Sequence, residues 1–292
     1  MRISRLKNLK LLISDPSDIF YFTGFYPQFQ AFLLIDRKPV LFLCEECRSK
    51  IEKHGLEKLK EWVSGEEVGI DEKNLAVEWL KKLEIKPWPA SQLIKKLRMV
   101  KEPEEVEKIK RAVRVTKEIL EEVEIKGREI DVEWQIRQKL AEKRALPAFQ
   151  PIVASGPNSR IIHHRPEKRK IRKGDVVILD LGARIDFYCS DITRTLGGDR
   201  ELRERVLDIQ GRIIDMLEPG RQIKEIDREY ERLLGRKPWH SWGHGIGIDV
   251  HEPLGDTILE GMVLTVEPGI YQRTGCRFED VVWIRKKGAR VL

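Results

Sequence analysis

Hydrophobic residues follow two different patterns along the chain, and the change falls near Lys101. Before it, short apolar runs predict β-strands at 10–13, 32–35, 40–43 and 68–70. Helices are predicted near 46–63, between the third and fourth of these strands, and near 74–83, after the fourth. Strands that alternate with helices indicate an α/β arrangement. We therefore predict a smaller N-terminal α/β domain over residues 1–100 and a second domain over residues 101–292.

The second domain is predicted to combine long helices with antiparallel strands. After Lys101, apolar residues recur every three or four positions, and Pro103 suits the first turn of the helix that they predict. A second helix follows with Asp131 as its N-cap, and further helices are predicted at about 201–217 and 222–234. Helices that cover one face of a largely antiparallel sheet leave the other face to form a pocket. The predicted fold class is α+β.

Two aspartates follow from the strand pattern of this domain. The apolar run 176–179 predicts a buried strand that ends at Asp180, and Ile185-Asp186 lies midway between Asp180 and Asp191. A tight turn at this midpoint would place the two carboxylates directly opposite each other on one face, with Cβ atoms roughly 5 Å apart. Carboxylates that close repel unless a cation or a proton lies between them. The alternative is that one aspartate caps the turn and the other is solvated.

One imidazole and two more carboxylates lie in similar segments. His244 lies in a run rich in glycine and histidine, before apolar residues that alternate at 246–250 and predict a strand. Glu267 ends an apolar strand just before a Pro-Gly turn, and Glu279 begins the next strand. If these strands pair as a hairpin, both glutamates can face the pocket of the aspartates. Burying ionised carboxylates is unfavourable unless they are paired or bind metal, so the set predicts an oxygen-rich site for two divalent cations. For His244 alone, a hydrogen-bonded structural role is the alternative.

The segments that carry these residues form an ordered pattern. They read Asp180-Leu-Gly-Ala, Asp191-Ile-Thr-Arg-Thr, His244-Gly-Ile-Gly, Leu-Thr-Val-Glu267-Pro-Gly and Arg277-Phe-Glu279-Asp280. Together they resemble the pita-bread metallopeptidases, and within them the Xaa-Pro peptidases of the prolidase and aminopeptidase P type. The resemblance is strong from about Phe149 to the end. Before Lys101 it rests on Asp18-Ile-Phe-Tyr-Phe-Thr-Gly-Phe, which is similar to the start of the smaller N-terminal domain of prolidase-like proteins.

The resemblance implies a pita-bread catalytic domain and two divalent metal ions, Mn or Co, with Zn or Fe as alternatives. Asp180 would chelate one ion, His244 and Glu267 would bind the other, and Asp191 and Glu279 would bridge both. Two ions about 3.5–4 Å apart can activate a water, polarise a scissile carbonyl and stabilise the tetrahedral oxyanion. Glu267 would also carry a proton from the water to the leaving amine.

Further residues match secondary positions of the family. His163 and His251 would orient the substrate and stabilise the transition state, and His240 matches another position. Arg277 would hold the geometry of the carboxylates, and Tyr271 would lie at the pocket wall. The three histidines and Arg277 complete, with Glu267, the predicted catalytic site.

The chain also departs from the family pattern. His164, next to His163, is predicted to lie on an exposed turn, and Trp242 is expected to narrow the pocket. Strict dipeptidases often carry an arginine after the second-histidine motif, where this chain reads His251-Glu-Pro-Leu-Gly. This favours an aminopeptidase acting at Xaa-Pro N-termini over a dipeptidase.

The implied function is metal-dependent hydrolysis of the Xaa-Pro bond in dipeptides or at peptide N-termini. The implied partner is a peptide with proline at the second position, and relatives tend to form homodimers. One alternative is a methionine-aminopeptidase-like specificity, which the N-terminal α/β domain disfavours. The other is a non-catalytic binding relative, which the retention of all the ligands disfavours.

Composition narrows the remaining function classes. The formal net charge is +7, but lysines and arginines are interleaved with glutamates along most helical stretches, which is typical of solvated helix faces and disfavours nucleic-acid binding. The chain starts without a long apolar segment, and no uninterrupted apolar stretch is long enough for a transmembrane helix. We therefore expect a cytoplasmic protein.

Cys44 and Cys47 form a C-x-x-C after an apolar strand, a position typical of thioredoxin-like redox pairs. Because no second C-x-x-C completes a zinc site, we expect a pair of half-buried small residues at a helix start instead.

Overall fold

The structure is a computed structural model that describes Leu6, residues 9–44 and residues 50–292. The chain divides into two units between Arg98 and Met99. The division falls one residue before the end of the last helix of the first unit, and it precedes the long helix predicted after Lys101. Each unit has its own apolar clusters, so each is described separately.

In its described residues, the first unit contains a six-stranded mixed sheet. The strands are β1 Leu11–Ile13, β2 Ala31–Ile35, β3 Pro39–Leu43, β4 Glu52–Gly55, β5 Glu67–Ile70 and β6 Lys86–Pro89. They lie in the order β4-β3-β2-β1-β5-β6, and the pairs that include β2 are antiparallel whereas the others are parallel. The helices are α1 Pro16–Thr23, α2 Leu59–Val63, α3 Val77–Leu83 and α4 Ser91–Met99.

Both faces of this sheet are buried, which explains the continuous apolar runs of its central strands. Leu33 and Leu41 join a cluster with Ile94 of α4, whereas their neighbours Phe32 and Phe42 join a cluster on the opposite face, with α2 and α3. Strands buried on both sides need apolar residues at every position rather than at alternate ones. The predicted α/β pattern and its four predicted strands are confirmed.

The predicted helix at 46–63 is wrong over most of its described length. Residues 52–55 form β4, a short 3-10 turn follows, and only 59–63 form a helix. β4 is an edge strand, and Glu52 and Lys53 are exposed. Polar edge strands lack an apolar alternation, so pairing with a neighbour decides their conformation. The sequence pattern also missed α1, which Asp15 caps by accepting a hydrogen bond from the backbone N–H of Asp18 at 3.0 Å.

The second unit contains four helices and short antiparallel strands within its described residues. The helices are α5 Pro103–Glu122, α6 Glu129–Glu142, α7 Arg200–Met216 and α8 Ile223–Leu234. The strands are β7 Leu146–Pro147, β8 Ile152–Ser155, β9 Val177–Leu181, β10 Ala183–Ile185, β11 Tyr188–Cys189, β12 Ile192–Leu196, β13 Val263–Val266, β14 Gly269–Tyr271, β15 Gly275–Arg277, β16 Asp280–Arg285 and β17 Gly288–Val291. The ladders run β11-β10-β7, β12-β9-β8, β13-β16-β17 and β14-β15.

Each helix pair covers one part of this sheet system. Ile119 of α5 and Ile136 of α6 pack with Val153 and Leu179 of strands β8 and β9. The α7–α8 pair packs in the same way on β13 and β16, with Tyr230 among the fully buried residues. The helices lie against one face of antiparallel strands, which confirms the predicted α+β class.

The helix starts show how local chemistry sets the boundaries. α5 begins at Pro103, as predicted, and Glu105 accepts a hydrogen bond from the backbone N–H of Glu102 at 3.0 Å. The prediction of Asp131 as the N-cap of α6 is wrong, because the helix begins at Glu129 and Asp131 lies within its first turn. There its carboxylate accepts from the backbone N–H of Arg128 at 2.9 Å. Among the described residues, no helix combines the length and apolar character needed to cross a bilayer.

Candidate metal centre

The strand hairpin that carries the two aspartates turns at Asp186-Phe187. Both turn residues have positive φ, 47° and 70°, and Ile185 pairs with Tyr188 across the turn. A two-residue turn with positive φ at both positions matches the right-handed twist of paired strands. The predicted turn position is therefore wrong, and Asp180 pairs with Thr193 instead of Asp191.

The corrected register still leaves the aspartates together. The displacement is by two residues, and side chains alternate with a period of two, so Asp191 stays on the same face as Asp180. Both line one cavity. Between the two aspartates, the backbone at Gly182 lies very close to that at Ser190. A Cβ built at Gly182 would lie only 2.0 Å from the carbonyl oxygen of Ser190. Only glycine is accommodated at that position.

His244 is held by a segment that runs beside β13. The backbone N–H of Thr265 donates to the carbonyl of His244 at 2.8 Å, and that of Glu267 donates to Trp242 at 2.7 Å. Gly243 permits this approach, since a Cβ there would lie 2.0 Å from the carbonyl oxygen of Thr265. The strand predicted at 246–250 is not formed.

Residues 246–250 do not form a strand because the Glu252 side chain, and not a partner strand, binds two of their backbone N–H groups. Glu252 accepts hydrogen bonds from the backbone N–H groups of Ile248 at 3.1 Å and Asp249 at 3.4 Å. The loop is bent around this carboxylate, and Lys101 contacts the same carboxylate at 2.9 Å. Alternating apolar residues can therefore occur in a loop whose N–H groups bind a side chain.

The two glutamates extend from one antiparallel pair of strands, as expected for a hairpin. β13 pairs with β16, and Val266 lies opposite Asp280 at the end of the ladder. Glu267 directly follows Val266, and Glu279 directly precedes Asp280. The β14–β15 hairpin connects the two glutamates. The backbone N–H of Glu279 donates to the carbonyl of Thr193 at 3.1 Å, which joins this strand pair to the aspartate hairpin.

All the predicted ligands line one cavity of about 240 Å³. Ligand atoms of Asp191, His244 and Glu279 lie within 4.8 Å of one another. The Nε2 atom of His244 lies 3.4 Å from Glu267 Oε1 and 3.7 Å from Asp191 Oδ2. Asp180 also lines the cavity. The structure thus brings the five side chains together.

Three buried oxygen atoms of this set have no hydrogen-bond partner within the described residues. They are Asp180 Oδ1, Asp191 Oδ1 and Glu279 Oε1. A buried carboxylate oxygen without a donor is strongly unfavourable, and a coordinated cation removes that penalty. Carboxylates with one imidazole suit divalent ions that accept oxygen and nitrogen ligands. The residues present therefore fit a metal centre.

The protonation of the carboxylates reflects their crowding. Burial raises the pKa of Asp191 and of Glu279 well above the usual range, and the neighbouring carboxylates raise both further. Burial likewise raises the pKa of Glu267 to about 7, against the opposing effect of Arg277. Bound cations would reverse these shifts because they favour the charged forms.

The histidines are held neutral with defined tautomers. Burial lowers the pKa of His244 to about 4 and that of His240 to about 4. His244 Nδ1 lies 3.0 Å from the carbonyl oxygen of Gly245, which can only accept, so Nδ1 carries the proton. The lone pair of Nε2 then faces Asp191 and Glu267, as a metal ligand requires.

Arg277 and Thr193 hold the outer edges of two carboxylates. The buried Arg277 guanidinium donates to Asp180 Oδ2 at 2.5 Å, to Thr193 Oγ1 at 3.1 Å and to the Tyr271 hydroxyl at 3.1 Å. The Thr193 hydroxyl in turn donates to Glu279 Oε2 at 2.8 Å. These hydrogen bonds engage one oxygen of each carboxylate. The other oxygens, Asp180 Oδ1 and Glu279 Oε1, have no partner among the described residues and remain available to a cation.

The three other predicted histidines occupy two kinds of position. His163 and His251 line the cavity, and the rings of His251 and His244 lie 4.3 Å apart. Burial lowers the pKa of His251. His240 lies behind Glu267, with Nδ1 3.7 Å from Glu267 Oε2 and Nε2 3.1 Å from the Tyr271 hydroxyl.

Several sequence expectations about neighbouring residues are wrong. His164 is buried and paired with Glu129 rather than exposed. Trp242 lies in the α7–α8 core and donates to Asp227 at 2.9 Å, so it does not narrow the pocket. Tyr271 is buried beneath Arg277 instead of forming the cavity wall.

The cysteine motif is only partly described. Cys44 is exposed, against the expectation of half-burial, and its Sγ lies 3.6 Å from the carbonyl oxygen of Gln30. Cys47 lies outside the described residues. The apolar cores of both units are formed without Cys44.

Sequence reasoning missed three buried supports of the site. Glu129 holds the His163 segment, Lys101 and Glu252 hold the His251 loop, and Thr193 holds Glu279. Their partners are distant in sequence, so periodicity carries no sign of them. The one available signal is Glu252, a carboxylate directly after His251 in a run that is mostly apolar and rich in glycine.

Comparison with known proteins gives consistent matches over nearly the whole chain. The model of "Metallopeptidase family M24" matches residues 107–286, and that of "Creatinase/Prolidase N-terminal domain" matches residues 7–100. The chain is 32% identical to the Xaa-Pro dipeptidase of Pyrococcus furiosus, over 97% of this chain and 92% of that protein.

Solved structures agree with the sequence matches. The prolidase from Pyrococcus horikoshii has a TM-score of 0.89 at 28% identity and covers 99% of this chain and 96% of its own. The X-Pro aminopeptidase from Thermotoga maritima has a TM-score of 0.86 at 26% identity, with coverage of 100% and 97%. The similarity confirms the predicted pita-bread fold.

Proposed function

We propose that this chain, which belongs to metallopeptidase family M24, hydrolyses the peptide bond that precedes proline in short peptides. It is a metallopeptidase, and the family implies divalent metal ions. The observation that carries the proposal is the convergence of four carboxylates and a neutral imidazole, with unpartnered buried oxygens, in one cavity. The names of the relatives, an Xaa-Pro dipeptidase and an X-Pro aminopeptidase, support the choice of substrate.

In this proposal Asp180 would hold one ion, His244 and Glu267 would hold the other, and Asp191 and Glu279 would be shared by both. Bound divalent ions would activate a water and polarise the scissile carbonyl. Two ions fit the ligand set better than one, because four carboxylates exceed the charge of a single dication. Mn or Co is the preferred metal for oxygen-rich ligands with one imidazole, with Zn or Fe as alternatives.

Glu267 is the proposed proton carrier. Its carboxylate lines the cavity and lies 3.4 Å from His244 Nε2, so it would lie beside a metal-activated water, from which it could take a proton to give to the leaving amine. His240, 3.7 Å from the Glu267 carboxylate, supports it from the side away from the metal ligands. His163 and His251, which line the cavity, would donate hydrogen bonds to the substrate carbonyl.

The alternatives are less well supported. A methionine-aminopeptidase-like specificity would not require the N-terminal domain that matches residues 7–100. A non-catalytic relative would not be expected to keep every ligand. Domains at 1–100 and 101–292, a homodimer and a cytoplasmic location remain predictions from the sequence.

The proposal is tested with protein loaded with Mn or Co. We expect hydrolysis of an Xaa-Pro dipeptide or of the first bond of an Xaa-Pro-Yaa tripeptide, and the ratio of the two rates decides between dipeptidase and aminopeptidase. Glu267→Ala is expected to abolish turnover, whereas Glu260→Ala, at an exposed glutamate outside the cavity, is expected to leave it unchanged. If neither peptide is cleaved after metal loading, the proposal is wrong.

A further inference from the structure

One unengaged guanidinium lines the metal cavity. Arg165 and Arg277 are the arginines of the cavity lining in the described residues. Arg277 is buried and bonded to Asp180, Thr193 and Tyr271. Arg165 is exposed, and across the described ranges its guanidinium has neither an ion pair nor a hydrogen bond. A positive charge is thus available to a ligand in the cavity.

The backbone that carries Arg165 is fixed on both sides. The preceding residue, His164, is buried, and its Nε2 lies 2.8 Å from Glu129 Oε2. The backbone N–H of Glu167, two residues after Arg165, donates to the same oxygen at 3.2 Å. The intervening Pro166 is buried and has a restricted backbone. A guanidinium on a fixed backbone loses less conformational entropy on binding than one on a mobile loop.

Glu129 is a strong anchor because its carboxylate is completely buried and fully hydrogen-bonded. It also accepts from the backbone N–H of Ser155 at 2.7 Å, the Ser155 hydroxyl at 2.6 Å and the Asn158 amide at 3.1 Å. These donors lie on both sides of the turn that leads to His163. The carboxylate therefore positions Arg165 at the cavity without contacting the cavity itself.

The chemistry of a short peptide supplies a matching group. Cleavage next to a C-terminal residue leaves a free carboxylate one residue from the scissile bond, inside a cavity of only about 240 Å³. The carboxylates of the metal site would repel that group, whereas a guanidinium binds a carboxylate through two parallel hydrogen bonds. Phe149, Ile152 and Val250 supply the apolar remainder of the lining.

We propose that Arg165 binds the C-terminal carboxylate of the substrate and thereby selects dipeptides over substrates in which that carboxylate is absent or more distant. The inference rests on the proposed peptidase function and deepens it. Arg165 is a specificity residue in this account, and Glu129 is its positioning residue. Neither takes part in bond cleavage.

The test compares an Xaa-Pro dipeptide with the same dipeptide amidated at its C-terminus. For Arg165→Met, we expect KM for the free acid to rise about tenfold, as for loss of a hydrogen-bonded charged partner, with kcat changed little. The KM of the amide should stay the same, and Arg165→Lys should give an intermediate effect. Arg160→Met is the matched control, because Arg160 is exposed on the same segment but outside the cavity lining.

The outcomes separate the two proposals. Equal effects of Arg165→Met on the acid and the amide, or no effect on either, would overturn the role of Arg165. If the wild-type protein cleaves neither the acid nor the amide, the peptidase proposal fails only if the Xaa-Pro-Yaa tripeptide is not cleaved either. Calorimetric binding of the acid and the amide to the metal-loaded protein then decides the role of Arg165. Tighter binding of the acid that is lost in Arg165→Met supports it, and equal binding of both peptides overturns it.

Discussion

Mutual repulsion and burial are the properties that the site carboxylates share. Asp191 and Glu279 are almost fully buried, and the pKa of each is raised by burial and by its acidic neighbours. Without bound cations, such a cluster lowers the stability of the fold when its members are charged. The residues proposed to bind metal therefore destabilise the metal-free fold. We expect the stability of the metal-free protein to depend on pH, because pH sets the charge of these carboxylates.

Glu267→Gln is expected to stabilise the metal-free protein at alkaline pH only. Burial raises the pKa of Glu267 from 4.5 to about 7, so the folded state holds the proton more tightly than the unfolded state does. Its contribution to stability is complete below the unfolded pKa and is lost as the pH rises to the folded pKa. The glutamine imitates the protonated form. The free energy of unfolding of the variant should therefore exceed that of the wild type by on the order of 2 kcal/mol at about pH 8 and should equal it at about pH 4.5.

The measurement is thermal unfolding of both chelator-treated proteins at the two pH values. The difference in melting temperature between variant and wild type should be positive at the higher pH and close to zero at the lower one. A difference that does not change with pH would mean that Glu267 has the same pKa in the folded and unfolded states, and the crowding described above would be refuted.

Thr193→Val is expected to weaken metal binding about tenfold, in the range usual for groups that orient a ligand. The hydroxyl lies between Arg277 Nε and Glu279 Oε2, and valine keeps the shape but removes both hydrogen bonds. Thr195→Val is the matched control on the same strand, since the Thr195 hydroxyl bonds the backbone carbonyl and N–H of Arg277 and not a carboxylate of the site. Equilibrium titration of Mn into both variants compares them, and equal losses of affinity would argue against a specific role for Thr193.

At the scale of elements, the sequence predicted the aspartate hairpin but not its turn. Asp186-Phe187 contains no glycine, although both residues adopt positive φ, so the usual signal for such a turn is missing. The face of each aspartate was nevertheless predicted correctly, because a displacement by two residues preserves the alternation of side chains. The 246–250 segment shows the opposite case, in which alternation without a partner strand gave a false strand.

The anchored turn between β8 and β9 depends on one carboxylate. Glu129→Ala would leave the N–H groups of Ser155 and Glu167, the Asn158 amide and His164 without their acceptor. We expect a loss of about 3 kcal/mol in the free energy of unfolding, typical of removing one partner from a buried polar network.

Chemical denaturation of wild type and variant tests this expectation. Glu142→Ala is the control, since Glu142 lies exposed on the same helix and its substitution should change stability by less than about 0.5 kcal/mol. Similar losses in the two variants would show that helix content, and not the buried network, is responsible.

For the molecule as a whole, apolar periodicity predicted the two-part organisation and the α+β class, and the ordered ligand motifs indicated the family by resemblance. The ligands were found because each ends or begins an apolar run, a pattern that needs no knowledge of distant contacts. The supports were not found, because Lys101 meets Glu252 and Glu129 meets His164 only after folding. Edge strand β4 was missed for a related reason, since pairing and not burial determines it.

All the proposed ligands lie in the second unit, so that unit should contain the complete metal site. The match to the metallopeptidase family covers the same region, whereas the N-terminal family model matches the first unit. Metal binding and bond cleavage should therefore rise together when ions are added to the intact chain.

The most direct test is the initial rate of Xaa-Pro hydrolysis during titration of metal-free protein with Mn. We expect no activity without metal and a rate that increases until two ions are bound per chain, as a dinuclear centre requires. Full activity at one ion would contradict the bridging roles of Asp191 and Glu279. Absence of hydrolysis at every metal concentration, or full activity in the chelated protein, would contradict metal-dependent hydrolysis of the Xaa-Pro bond.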